Sequence, residues 1–194
     1  NPDYMKRASE FLMIPDYLHY LLTGAKFNEY TNATTTGLVN AEAREWDYEL
    51  ISSLGYNKDM FLPLSLPGTP AGYFKPDIAR KAGFNCEVVM PASAVVSVPA
   101  SGDDFLYISS GTWSLMGVER NRPDCSIYSM EHNFTNEGGY GYRFRYIKNI
   151  MGLWMIQEIR RISGNKYSFD ELCRMAQANE DFPSRVDVNS SGFF

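Results

Sequence analysis

The residues best suited to chemistry fall in two stretches of the second half of the chain. The first is Gly111-Thr112, set between the apolar runs Phe105 to Ser110 and Trp113 to Glu119. A two-residue connection led by glycine predicts a tight hairpin. Its tip would bring backbone amides and a hydroxyl to one point, which suits an anionic phosphate. Alone the dipeptide is unspecific, because most such tips only turn the chain. The second stretch runs from Lys148 to Gln157. Read as part of one long helix, Tyr146 to Ile162, it sets the amides of Asn149 and Gln157 about 12 Å apart along the axis. That helix would be apolar around most of its circumference, placing both amides at or near a buried surface. Buried amides need partners, and the plain alternative is that each bonds to neighbouring backbone.

Several elements must position these residues. Ile14 to Gly24 predicts a short helix, with Pro15 in its first turn and Gly24 as its left-handed stop. The hydroxyl-rich run Glu29 to Thr36 follows; Asn32 could cap the next turn, and the threonines could equally line a polar pocket. Glu45 to Gly55 reads as a second helix closed by glycine. Leu62 to Pro76 is proline-rich and predicts an extended connection. Cys86 to Met90 predicts a short buried strand. The polar turn Ser101-Gly102-Asp103-Asp104 marks a boundary, giving domains over 1–100 and 101–194. Asn136-Glu137-Gly138-Gly139 reads as a loop.

A chain of 194 residues can form one large domain or two small ones, and its 44% hydrophobic content is that of an ordinary globular protein. The net charge of −5 gives no sign of a nucleic-acid or anionic-membrane partner. The short basic runs Arg143 to Lys148 and Arg160-Arg161 read as solvated faces. Three separated cysteines and two histidines, His19 and His132, offer neither a disulfide framework nor a metal site. The expectation is a reduced, cytoplasmic protein. The glycosylation-like triplets at Asn32, Asn133 and Asn189 then read as accidental. No apolar run reaches the length of a membrane span. Both ends, Asn1-Pro2-Asp3 and Gly192-Phe193-Phe194, read as cuts.

Five blocks in order carry a resemblance: Asp16 to Gly24, Glu29 to Thr36, Ser109 to Gly117, Thr135 to Gly139, and Lys148 to Trp154. Together they resemble the FGGY family of carbohydrate kinases, in particular its members acting on L-rhamnulose. The resemblance implies an α/β, actin-like ATPase (ribonuclease H-like) fold with parts of two domains. The first would be the later part of the sugar-binding domain, the second the beginning of the nucleotide-binding domain. It implies transfer of the ATP γ-phosphoryl, with Mg2+, to the 1-hydroxyl of L-rhamnulose. Gly111 and Thr112 match the family's phosphate turn, Gln157 a nucleotide-binding glutamine, and Asn149 a sugar-site asparagine. The partners implied are the sugar, ATP and the remainder of a parent chain.

One departure stands out. The family's catalytic base is an aspartate in a His-Asp-Thr segment, and about five residues of that pattern, the aspartate among them, are missing near Ser93. Asp103 and Asp104 lie past the next segment and are not promoted to its place. The expectation is that the loop exists in the molecule, because the flanks match on both sides; the rival is a true deletion. The family's opening phosphate hairpin and glycine-rich adenosine segment would lie beyond the two ends, so the isolated chain is expected to be inactive. Two alternatives remain open: a kinase of the same family for L-fuculose or D-xylulose, and a non-catalytic sugar-binding relative.

Overall fold

A computed structural model describes residues 7–91, 98, 100, 102, 104–187 and 190. It divides into two compact units, one of residues 1–105 with 119–146, the other of 106–118 with 147–194.

In the first unit, helix α1 (Ile14–Thr23) starts as predicted, with Pro15 in its first turn, and ends on Gly24 at φ +84°. Strand β1 (Asn28–Glu29) pairs in parallel with β4 (Leu64–Ser65). Helix α2 (Tyr30–Ala33) follows β1 directly and is capped by Glu29, not by Asn32: the Glu29 carboxylate accepts from the N–H groups of Thr31 and Asn32. A 3₁₀ turn (Thr34–Thr36) continues it. The hydroxyls of Thr34, Thr35 and Thr36 each donate 2.7 Å back to the carbonyl three residues earlier.

The predicted second helix is shorter than expected. Glu45–Trp46 form strand β3, which pairs antiparallel with β2 (Val39–Asn40). Asp47 then caps helix α3 (Tyr48–Ser53) through the Leu50 N–H. Trp46 is drawn into the core against Phe11 and Phe61, and its indole N–H donates to the Leu62 carbonyl. The proline-rich connection is not wholly irregular: besides β4 it forms β5 (Pro70–Tyr73), and Pro76 opens helix α4 (Pro76–Ala82). Strand β6 (Glu87–Val89) pairs with β5, but Cys86 and Val89 are exposed and only the adjoining Met90 is buried. The predicted strand exists; its burial does not.

The remaining strands form a sheet in the order β7 (Tyr107–Ser110), β8 (Trp113–Arg120), β10 (Phe144–Met151), β9 (Phe134–Gly138). Helix α5 (Ile127–Glu131) lies between β8 and β9 in sequence. The predicted loop at Asn136–Gly139 is therefore mostly strand. Asn136 and Asp124 exchange two 2.9 Å bonds, Glu137 pairs with Arg145 at 2.7 Å, and the Gly138 N–H donates to Thr34. Gly138 is required here because a Cβ would fall 2.5 Å from the Tyr30 ring. The basic run is likewise not a free solvated face, since Arg143 pairs with Glu119 and Arg145 with Glu137.

The second unit carries the β7–β8 hairpin, the later part of β10, and helices α6 (Trp154–Ile162) and α7 (Phe169–Gln177). The long helix expected from Tyr146 is corrected: the chain is strand to Met151 and turns helical only after Gly152. The strand's buried residues Phe144, Ile147 and Met151 fall at helical spacing, which is why the pattern misleads. α7 is set by a capping box, Ser168 bonding the Glu171 N–H while Glu171 accepts from the Ser168 N–H at 2.7 Å.

Candidate active site

The hairpin forms as the spacing predicts, with Ser110 opposite Ser114 and Tyr107 opposite Gly117. Its tip is built differently from a glycine-led primed turn. Gly111 does not take up a left-handed φ, and its N–H donates to the Trp113 carbonyl at 3.1 Å. The tip carbonyls are also in use. Leu153 N–H donates to Gly111 and Trp154 N–H to Thr112, each at 3.0 Å. Hairpin tip and helix start are thus one hydrogen-bonded corner, and Gly152 makes it possible. A Cβ on Gly152 would lie 2.6 Å from the Gly111 oxygen and 2.7–2.8 Å from Ser114 Oγ and N.

Gly111 therefore does not offer its amide to a ligand; its role is to bring its carbonyl to α6. Thr112 is exposed, and its hydroxyl is the polar side-chain group the tip presents to solvent. The start of α6 beside it carries the partial positive charge of a helix N-terminus, with no acidic side chain in its first turn.

Asn149 and Gln157 do not share a helix. Asn149 is on β10 and Gln157 on α6, and both are exposed rather than buried. Gln157 follows the corner by one turn, its N–H donating to Leu153 at 3.0 Å. It lines an apolar cleft of about 390 Å³ between α6 and α7, walled by Leu153, Ile156, Phe169 and Leu172. The structure joins Gly111 and Thr112 directly to the start of α6 and puts Gln157 one turn along it. Gly152 and the buried Ser114 escaped the sequence reading. Gly152 carried a signal, being an isolated glycine inside a predicted helix, where it weakens that reading.

Ser93, where the family aspartate is missing, lies outside the described residues. Among the described residues no group of three or more His, Cys, Asp or Glu is placed to hold a metal ion. No described helix is long and apolar enough to cross a membrane.

A different polar cluster is buried in the first unit. Asp16 accepts from the Glu29 N–H at 3.3 Å, and the Asn28 amide donates to the Phe11 carbonyl at 3.0 Å while accepting from Leu62 N–H at 3.2 Å. Burial pushes the Asp16 carboxyl above its ordinary value, against the hydrogen bonds it receives.

Two family models match the chain: the N-terminal domain of the FGGY family of carbohydrate kinases over residues 1–97, and the C-terminal domain over 106–194. Proteins named rhamnulokinase from Halalkalibacterium halodurans and Oceanobacillus iheyensis are 52% and 50% identical over the whole chain. The chain spans 42% of the length of each. Among solved structures, a ligand-bound xylulose kinase from Lactobacillus acidophilus superposes with a TM-score of 0.75 at 18% identity, over 88% of this chain and 36% of that one. A xylulose kinase from Bifidobacterium adolescentis gives 0.65 at 16% identity, over 92% and 40%. The fold is the actin-like ATPase fold of sugar kinases.

Proposed function

Since this chain belongs to the FGGY family of carbohydrate kinases, we propose that it is part of an ATP-dependent kinase forming L-rhamnulose 1-phosphate. Overall identity of 52% to a rhamnulokinase, in an alignment that covers the whole chain, carries that reading. Residues 1–100 are assigned to the sugar-binding domain and 101–194 to the nucleotide-binding domain.

Phosphoryl transfer asks the protein mainly for positioning and charge stabilisation. Thr112 Oγ is assigned to a phosphate oxygen, a role supported by its exposure beside the α6 N-terminus. Gly111 sets the tip. Gln157 is assigned to the nucleoside, supported by its place on the rim of an apolar cleft where a flat base would fit. Asn149, exposed on β10, is assigned to a sugar hydroxyl. With no acidic cluster among the described residues, Mg2+ would enter on the ATP phosphates, whose charge it neutralises. The partners are the sugar, ATP and the rest of the parent chain, in the cytoplasm, with no nucleic acid or membrane.

The absent aspartate favours one second reading, a relative that kept the fold and lost the base. The alignment with the most similar of these relatives runs over 198 positions, so that protein has residues this 194-residue chain lacks. The test assays the intact protein containing these residues on L-rhamnulose, L-fuculose and D-xylulose, with and without a five-residue His-Asp-Thr segment inserted at Ser93. The proposal expects the insertion to raise L-rhamnulose turnover by about 10²–10⁴. Equal rates on all three ketoses overturn the substrate. No phosphorylation without the insertion establishes the non-catalytic reading.

A further inference from the structure

The first unit contains a cavity of about 230 Å³ lined by Tyr30, Arg44, Glu45, Trp46, Leu66 and Tyr142, among others. At about 30 Å³ per water in the liquid, that is room for roughly seven waters, far more than one bridging molecule needs. None of the phosphoryl-transfer residues assigned above borders it.

Two donors there lack acceptors. Tyr30 is 1% exposed, and its hydroxyl is buried with no hydrogen-bond partner among the described residues. Buried hydroxyls are nearly always paired, so this one calls for a partner that the described residues do not supply. Arg44 lies over the rings of Tyr142 and Phe144, with its guanidinium carbon 5.0 and 5.6 Å from their centroids. Its five N–H donors have no carboxylate partner among the described residues. Four described non-glycine residues have positive φ, namely Arg44, Tyr142 and two asparagines. Asparagine tolerates that conformation, whereas arginine and tyrosine do so rarely. The two unfavoured cases line the same cavity and touch each other.

A cavity whose lining residues include an arginine and a tyrosine with an unpartnered hydroxyl calls for an acceptor-rich ligand, and a guanidinium edge matches an oxyanion. The one carboxylate at the cavity, Glu45, belongs to an exposed residue where water screens it. We propose that this cavity is a binding site for an oxyanion of the phosphate class, held by the Arg44 guanidinium and the Tyr30 hydroxyl.

Calorimetric titration of the intact protein with inorganic phosphate and with glycerol 1-phosphate, at constant ionic strength set by chloride, tests this. The expected result is saturable binding of at least one probe, weakened about tenfold or more in both Tyr30→Phe and Arg44→Lys. Saturation by phosphate identifies the free ion as sufficient; saturation by the ester alone identifies a phosphorylated metabolite. Tyr30→Phe keeps the ring and removes the unpartnered hydroxyl, so the unliganded variant should melt no lower than the parent. Phosphate bound at the phosphoryl-transfer site would survive both substitutions. Absence of saturable binding, or affinity within twofold of the parent in both variants, overturns the proposal.

Discussion

The buried knot around Asp16 and the corner around Thr112 use similar chemical groups to opposite ends. In the knot, Asp16, Asn28, Glu29 and Thr31 are all buried, and each side chain is hydrogen-bonded within the fold. At the corner the main chain is bonded internally, while the Thr112 side chain faces outward. A cluster of polar residues is thus no sign of a site by itself. What marks the corner is a polar group left available on a rigid support.

The knot should be the more fragile of the two. Asn28→Ala takes from the part-buried Phe11 carbonyl and Leu62 N–H the side chain that bonds them. Each orphaned group costs about 1–3 kcal/mol, so a loss of about 3 kcal/mol is expected in denaturant unfolding. A loss below about 1 kcal/mol would show that the knot is not holding α1 to β1. At the corner, Gly152→Ala must displace either the Gly111 carbonyl or Ser114. The expected loss is about 2 kcal/mol, as for overpacking elsewhere, together with weakened nucleotide binding. Unchanged stability with unchanged binding would mean that the corner is soft.

The sequence showed some of this plainly and hid the rest for physical reasons. Pro15 and Gly24 bracket α1 because a missing N–H and a left-handed φ are local properties. The hairpin was legible for the same reason. β10 was not, since its buried residues repeat at a helix-like interval. Asn136 to Gly139 looked like a loop because a glycine there suggests a turn, whereas Gly138 is present to admit the Tyr30 ring, a contact 108 positions away in sequence that only folding creates. Ser168 and Glu171 carry a capping box that is local in type and spacing. Thr112 could be picked by type and spacing; that Gly111 gives its carbonyl to α6 could not.

Thr112→Ala separates support from chemistry. The side chain is exposed and bonds nothing else described, so unfolding free energy should move by less than about 0.5 kcal/mol. Nucleotide affinity of the intact protein should fall about tenfold, the value of one hydrogen bond to a charged oxygen. The reverse pattern, lost stability with retained affinity, would place Thr112 with the knot rather than with the ligand.

The smallest effect is a slope rather than a level. The Asp16 carboxyl titrates above its ordinary value in the folded chain because burial penalises its charged form. Between the unfolded and folded values the native state therefore binds more protons than the unfolded state. The stability tied to its neutral form is fully present below the unfolded value, about 3.9, and is lost as pH rises through the folded value. The slope cannot exceed about 1.4 kcal/mol per pH unit for one group. Asp16→Asn should flatten this decline while keeping an oxygen to accept from the Glu29 N–H. Unfolding measured from pH 4 upward checks it against the parent. An unchanged slope would mean that Asp16 stays charged in the core, held by the hydrogen bonds it receives rather than penalised by burial.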